Sequence, residues 1–201
     1  MRKIRIAEHI SLDGFVEPGG PGVDRAYAHG DWTAPYRTPE GAAAVAAAYG
    51  SGYDLLLGRR TYDLWSGYWP AMKAGPFASG LNAATKYVAT HRREGLEWGP
   101  VGDLGPDVLA GIRRLKASDG PDLIVCGSAM LASTLFEHGL VDEVMLAVYP
   151  LLLGQGKRCF PERAMPNTFE LVSSTTTPSG VVVGMYRRAD ASSISPSSAN
   201  N

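Results

Sequence analysis

Apolar positions along the chain fall into short runs that change between the spacing of a strand and that of a helix. Residues 4–10 alternate and carry isoleucines, which predicts a first strand. Short apolar runs predict further strands at residues 54–57, 86–90, 123–126 and 143–150. Because strands that alternate with helices favour right-handed crossovers, this order predicts an α/β fold with a mostly parallel sheet.

Helical patterns lie between these strands. Thr38-Pro39-Glu40 is typical of a helix start, with an N-cap, a proline in the first turn and an acid near the positive end. An alanine-rich segment over residues 42–49 follows it. Further helices are predicted at residues 60–66, 108–116 and 130–138.

The C-terminal part of the chain predicts an antiparallel hairpin, which makes the sheet mixed. Residues 169–176 and 181–188 flank the turn Pro178-Ser179-Gly180. With no linker or internal repeat, residues 1–188 are interpreted as one domain and the Ser/Ala/Asn-rich residues 189–201 as a disordered tail. The Gly/Pro-rich segment 17–22 is interpreted as a functional loop.

Composition narrows the class of protein. The 201 residues are 45% hydrophobic and carry a formal net charge of −1, so no basic field predicts binding to nucleic acid or an anionic membrane. No apolar stretch is long enough to span a bilayer. The two cysteines lie in apolar contexts, which favours a reducing, cytoplasmic location. The histidines lack a second ligand at metal-binding spacing, so no metal is expected.

The turn Gly58-Arg59-Arg60-Thr61 is the first candidate site. It follows a predicted buried strand and begins a predicted helix. Backbone N–H groups at a helix N-terminus, the helix dipole and an arginine together suit a phosphate group.

Two further turns lie at predicted strand ends. Thr90-His91-Arg92 is basic, and Gly127-Ser128-Ala129-Met130-Leu131 leads from a strand into a helix with small residues. Each turn alone could be purely structural. Because the carboxyl ends of parallel strands share one edge, the three together predict an elongated, multiply phosphorylated ligand such as a dinucleotide. Neither the G-x-G-x-x-G nor the P-loop pattern occurs.

These motifs occur in an order that resembles the dihydrofolate reductase-like superfamily. Within it, the chain is similar to stand-alone bacterial proteins that resemble the C-terminal reductase domain of the bifunctional riboflavin-biosynthesis deaminase/reductase. The deaminase motifs H-x-E and C-x-x-C are missing. The matching pieces are Ser11 to Phe15, Trp32, Pro35-Tyr36, Leu55 to Tyr62, Tyr68-Trp69-Pro70, Leu81-Asn82, Lys86-Tyr87-Val88, Cys126-Gly127-Ser128, Gly139 to Glu143 and Pro150 to Lys157.

The resemblance implies a mixed, mostly parallel sheet with NADPH across the strand ends. It implies that Gly58, Arg59, Arg60 and Thr61 hold the diphosphate region. It places Thr90, His91 and Arg92 at the adenosine 2′-phosphate, and Gly127, Ser128, Ala129, Met130 and Leu131 on the other flank. It places Ala7, through its backbone, and Gly14 beside the nicotinamide.

The substrate end departs from folate reductases. Many bacterial folate reductases read Pro-Trp-x-x-Pro-x-acid, whereas here Tyr36 replaces the tryptophan and Glu40 comes one position early. Trp32 and Tyr36 are candidates to stack on a flat substrate, or to pack a loop over the core. Glu40 is either a substrate-binding acid or only a helix N-terminal acid. Asp13 and Asp31 are candidate catalytic acids, and Tyr36, Glu40 and water are alternative proton donors.

The predicted function is an NADPH-dependent reductase that transfers hydride to a C=N or C=O group of a planar heterocycle. Three alternatives remain open: a true dihydrofolate reductase, a nucleotide- or flavin-binding module without turnover, and an interaction domain whose glycine turns are only structural. The resemblance also implies a homodimer.

Overall fold

The computed structural model describes residues 1–16, 29–72, 75–160 and 167–189. The predicted loop at 17–22 and the predicted tail beyond Ala189 lie outside them. Eight strands are present in this part of the chain: β1 (Ile4–Ser11), β2 (Asp54–Gly58), β3 (Lys86–Ala89), β4 (Val101–Gly102), β5 (Leu123–Val125), β6 (Glu143–Tyr149), β7 (Phe169–Thr176) and β8 (Val182–Arg188). Five α-helices accompany them: α1 (Pro39–Tyr49), α2 (Arg59–Ser66), α3 (Pro76–Ala83), α4 (Val108–Ala117) and α5 (Ala129–Glu137).

The strands form one sheet in the order β4-β3-β2-β5-β1-β6-β8-β7. The first six strands of this order are parallel, and the hairpin of β7 and β8 pairs antiparallel with β6. The predicted mixed, mostly parallel sheet with a C-terminal hairpin is therefore confirmed.

Helices cover both faces of the sheet. Tyr62 of α2 and Leu81 of α3 are fully buried in one apolar cluster, and α1 contributes Tyr49 to the same cluster. On the opposite face, Ile112 of α4 and Leu135 of α5 are buried in a second cluster. All five residues of β2 are buried, as expected for a parallel strand covered on both faces.

The sequence interpretation missed two elements, α3 and β4. α3 begins at Gly75-Pro76, whose residue types are typical of a turn, and its eight residues include two glycine or proline positions. β4 has two residues, too few for an alternating pattern. Within the described part of the chain, no helix is long and apolar enough to cross a membrane.

Candidate functional site

The candidate site lies where β1 separates from β5. The β1–β5 ladder ends at Ile6 and Val125, but the β1–β6 ladder continues to Ser11 and Tyr149. Beyond Ile6, β1 therefore has a strand on one side only. A cavity of about 700 Å³ opens at this gap and is lined by the ends of β1, β5 and β6 and the starts of α1, α2 and α5.

Backbone groups of β1 also point toward the gap. Leu123 donates its N–H to the carbonyl of Lys3, so odd-numbered residues of β1 direct their backbone groups toward β5. Ala7 and His9 follow this alternation past the end of the ladder, and both line the cavity. The geometry therefore agrees with a role for the Ala7 backbone in ligand contact.

Two helices begin at the cavity. Gly58 is the N-cap of α2 and Ser128 the N-cap of α5, and neither helix has a side-chain hydrogen bond to its first N–H groups. Arg60 and Thr61 line the cavity from one helix start, and Gly127, Ser128 and Ala129 from the other. Backbone N–H groups without a cap suit an anion, so this donor set fits the diphosphate of a dinucleotide.

The two helix starts are packed directly together. The Gly58 N–H donates to the carbonyl of Gly127 at 3.3 Å. A Cβ atom at Gly58 would lie 2.5 Å from Oγ of Ser128, a contact that real structures do not contain. Gly58 therefore acts by allowing this close approach, and it does not itself line the cavity.

The predicted 2′-phosphate turn is held by an arginine of α2. The Arg59 guanidinium donates to the carbonyls of Arg92 and Glu94 at 2.8 and 2.9 Å, and its Nε donates to Asp63 at 2.8 Å. Thr90 Oγ1 accepts from the Arg92 N–H at 3.0 Å. Arg59 thus positions this turn, while the Arg92 side chain is exposed, as is that of His91.

Glu8 contributes a carboxyl group to the cavity wall that the sequence interpretation did not identify. Its Oε1 atom is fully buried and has no hydrogen-bond partner. Burial raises the pKa of Glu8 to about 8, and the Gly127 N–H offsets part of this rise. At neutral pH this group is mainly a neutral acid.

A second polar pair, His9 and Tyr149, faces the same cavity. Tyr149 packs edge-on against Tyr36 and Trp32, with ring centroids 5.6 and 4.9 Å away. Tyr36 lines the cavity, whereas Trp32 is buried behind Tyr149 with no hydrogen-bond partner for its Nε1 atom. The geometry thus leaves Tyr36 as a candidate to stack on substrate and gives Trp32 a packing contact.

Asp31 lies at the rim and makes ion-pair contact with Arg37, which lines the cavity. Its Oδ1 atom also accepts from Thr33 Oγ1 at 2.8 Å. The carboxylate therefore orients Arg37, and the structure gives Asp31 no position on the cavity wall.

Asp13 lies outside the cavity and fastens two loops together. Its carboxylate accepts from the Ser11 hydroxyl at 2.6 Å and from the Gly154 N–H at 2.7 Å. These hydrogen bonds hold the pKa of Asp13 down to about 2. An acid that stays ionised cannot give a proton at neutral pH, so the geometry does not support a catalytic role. Gly14, beside it, has a φ of 85° and faces Arg158 rather than the cavity.

Seven other predicted residues do not line the cavity: Arg59, Thr90, His91, Arg92, Glu40, Met130 and Leu131. Glu40 is exposed in the first turn of α1, in agreement with a helix N-terminal acid. Met130 is exposed, and Leu131 is buried in the core beneath α5. By contrast Trp65 and Trp69, which are not among the predicted site residues, form part of the cavity wall.

The missed residues had different signals. Glu8 lies on the face of β1 that Ile4, Ile6 and Ile10 occupy, and a carboxylate among these apolar positions could have identified it. His9 and Tyr149 meet only because β1 and β6 are neighbours, which no local pattern shows.

A protein-family model described as the RibD C-terminal domain matches residues 2–183. Over 136 residues the chain is 29% identical to a Bacillus subtilis (strain 168) protein named YyaP, which corresponds to 66% of this chain and 72% of that protein.

Solved structures share the fold at low identity. A putative riboflavin biosynthesis protein from Shewanella sp. PV-4 matches with a TM-score of 0.61 and 18% identity, covering 94% of this chain and 100% of that chain. A dihydrofolate reductase from Enterococcus faecalis, complexed with NADP(H) and RAB-propyl, matches with a TM-score of 0.59 and 16% identity. The match covers 94% of this chain and 97% of that chain. A pyrimidine reductase-like protein from Corynebacterium diphtheriae matches with a TM-score of 0.55 and 11% identity. The match covers 94% of this chain and 92% of that chain.

Proposed function

Because the chain belongs to the RibD C-terminal domain family, we propose that it is an NADPH-dependent reductase of a small planar heterocycle. The reducible group is a C=N or C=O bond of a pterin-, pyrimidinone- or imine-like molecule. One observation carries the proposal: a single cavity of about 700 Å³ joins two uncapped helix starts to an aromatic wall. Such a cavity has the volume of a ligand site and offers both an anion-binding end and an apolar end.

The chain's own residues bind and orient the cofactor in this proposal. The N–H groups at the starts of α2 and α5 hold the diphosphate, with Arg60 beside them. Thr90, His91 and Arg92 hold the 2′-phosphate. When bound, NADPH supplies a hydride from its nicotinamide C4.

The substrate occupies the aromatic end of the cavity. Tyr36 and Tyr149 provide flat faces and edges for a heterocycle, and Arg37 places a positive charge beside them. Holding this ring against the nicotinamide, with water excluded by Trp65 and Trp69, is the main catalytic contribution of the protein.

A cofactor titration tests the first part of the proposal. The tryptophans of the cavity wall should report binding through their fluorescence, and NADPH should bind at least about tenfold more tightly than NADH because of the 2′-phosphate contacts. Equal affinity for the two cofactors would contradict the assigned phosphate turn, and no binding of either would contradict the function.

A turnover assay tests the second part. NADPH oxidation would be followed with dihydrofolate, a dihydropterin, a ribosylated aminopyrimidinone and a cyclic imine. Reduction of any member other than dihydrofolate supports the proposal, and reduction of dihydrofolate alone identifies a folate reductase. Tight NADPH binding without turnover of any member favours a binding module. We propose a homodimer as well, which light scattering would check.

A further inference from the structure

The proposed reduction needs a proton as well as a hydride, and the structure narrows the choice of donor. Asp13 and Asp31 are engaged outside the cavity wall. Of the carboxyl groups that do line it, Asp63 accepts from Arg59 at 2.8 Å. Among the described residues Glu8 is the other, and its Oε1 atom has no hydrogen-bond partner.

Glu8 reaches the cavity because of the backbone gap. Its neighbours Ala7 and His9 lie on the opposite face of β1, yet all three residues line the same cavity. Side chains on both faces can do so only where the adjacent strand is missing, and β1 loses its β5 neighbour after Ile6. Glu8 therefore borders the cavity at the gap between β1 and β5. In the proposed function, cofactor and substrate meet in this cavity.

The vacant side of Gly127 borders this carboxyl group. A Cβ atom there would lie 3.2 Å from Thr61 Oγ1 and 3.8 Å from Glu8 Oε1. These two distances place the Glu8 carboxyl group next to the starts of α2 and α5, with no side chain of residue 127 between them.

Resting on the proposed function, we infer that Glu8 is the proton donor of the reduction. The substrate carbon accepts the hydride, the π electrons of its C=N or C=O bond move to the heteroatom, and the heteroatom takes the proton from the Glu8 carboxyl group. NADPH is oxidised to NADP⁺, and Glu8, left as a carboxylate, regains a proton from the solvent, so each turnover consumes one proton. Charge and electrons balance without a further reagent.

The groups around Glu8 support this protonation state. Tyr49, Cys126 and Cys159 are coupled to its charge, and burial raises the pKa of each, so all three are neutral at neutral pH. His9 is neutral too, since burial and Arg37 lower its pKa to about 4. Arg60 and Lys157 line the same cavity. Burial has the largest effect on the pKa of Glu8, which it raises to about 8.

Infrared spectroscopy tests the protonation state without substrate. The wild-type chain and the Glu8→Gln variant would be compared at about pH 7, below the expected titration near pH 8. The carbonyl stretch of a protonated carboxyl group should appear in the wild type, vanish in Glu8→Gln and persist in Glu137→Gln, a matched change at an exposed position of α5. An unchanged spectrum in Glu8→Gln would overturn the inference.

Kinetics test the role itself, with the substrate found in the turnover assay. Glu8→Gln should bind NADPH with an affinity within about twofold of the wild type but lose at least about 100-fold in kcat. In the wild type kcat should fall as the pH rises through about 8, and this alkaline limb should be missing in Glu8→Gln. Glu8→Asp, which keeps an acid, should retain that limb.

The two proposals fail differently. Unchanged kcat and pH profile in Glu8→Gln would overturn the proton donor and leave the reductase intact. No NADPH binding or no turnover by the wild type would overturn the reductase, and the proton donor with it.

Discussion

The Nδ1 atom of His9 lies 2.7 Å from the phenolic oxygen of Tyr149, and this hydrogen bond joins β1 to β6 at the cavity wall. Burial lowers the pKa of His9 to about 4 and raises that of Tyr149 to about 12, so both groups are neutral near pH 7. One of them donates and the other accepts. The pair therefore fixes the orientation of the two rings without placing a charge in the cavity.

Removal of the phenolic hydroxyl should weaken both the fold and the site. Tyr149→Phe leaves a buried imidazole nitrogen without its partner, so we expect the free energy of unfolding to fall by about 1 to 2 kcal/mol. Urea unfolding measures this change. Tyr186→Phe, on the opposite face of the sheet, is the control and should cost less. Equal losses in the two variants would contradict a specific role for the hydrogen bond.

His9 should make the protein less stable in acid. Its folded-state pKa of about 4 lies below the ordinary histidine value of 6.5, so between these values the unfolded chain binds a proton that the folded chain does not. Stability from this group is therefore complete above about pH 6.5 and is lost as the pH falls toward 4.

The test measures the urea concentration at the unfolding midpoint from pH 7 to about pH 4. The fall of this midpoint in acid should be smaller in His9→Gln than in the wild type, and unchanged in His138→Gln, a variant at an exposed position. Glu8 acts in the opposite direction, because its raised pKa makes the folded chain bind the extra proton between about pH 4.5 and 8. Comparing each variant with the wild type at the same pH separates the two contributions. An identical limb in His9→Gln would contradict the assignment.

Arg59 and Arg92 should affect cofactor binding in different ways. Arg92 is exposed and assigned to the 2′-phosphate, so Arg92→Ala should weaken NADPH binding about tenfold or more and leave NADH binding unchanged. Arg59 holds the backbone of the turn, so Arg59→Ala should weaken binding of both cofactors. Fluorescence titration measures these affinities, with exposed Arg113→Ala as control. The same loss for NADPH and NADH in Arg92→Ala would refute its assignment.

The contact between the two helix starts should make Gly58 intolerant of a side chain. Gly58→Ala places a methyl group 2.5 Å from Ser128 Oγ, and we expect a loss of about 1 to 3 kcal/mol in unfolding free energy. The double variant Gly58→Ala/Ser128→Gly removes the Oγ and Cβ atoms of Ser128 and should recover part of the lost unfolding free energy. The Ser128 nitrogen, 3.1 Å from the new atom, remains. Additive effects would show that the two residues are not in contact.

The fold could be predicted in the elements whose pattern is local. The isoleucines of β1 and the leucines of β2 identify buried strands wherever they lie in the sheet. The two-residue strand β4 could not be predicted, because its pairing with β3 depends on distant backbone and not on its own residues. α3 was hidden by the turn residues at its start.

The site residues also divide into those with a local sequence signal and those that depend on distant parts of the chain. The Gly58 and Gly127 turns were predicted because a strand, a glycine and a helix start are consecutive in the chain. The hydrogen bonds of Asp13 could not be predicted, because its Leu153 and Gly154 partners are far away in sequence. Glu8 owes its place in the cavity to the end of the β1–β5 ladder, which only the structure reveals.

The separation of β1 from β5 means that part of the room for ligand is made by the main chain. Ala7 and His9 offer backbone groups there whatever residues occupy those positions. Under the proposed function, substitutions at Tyr36 should therefore change which molecule binds while the gap in the backbone persists. The gap is thus a suitable starting point for engineering reductases with a new substrate range.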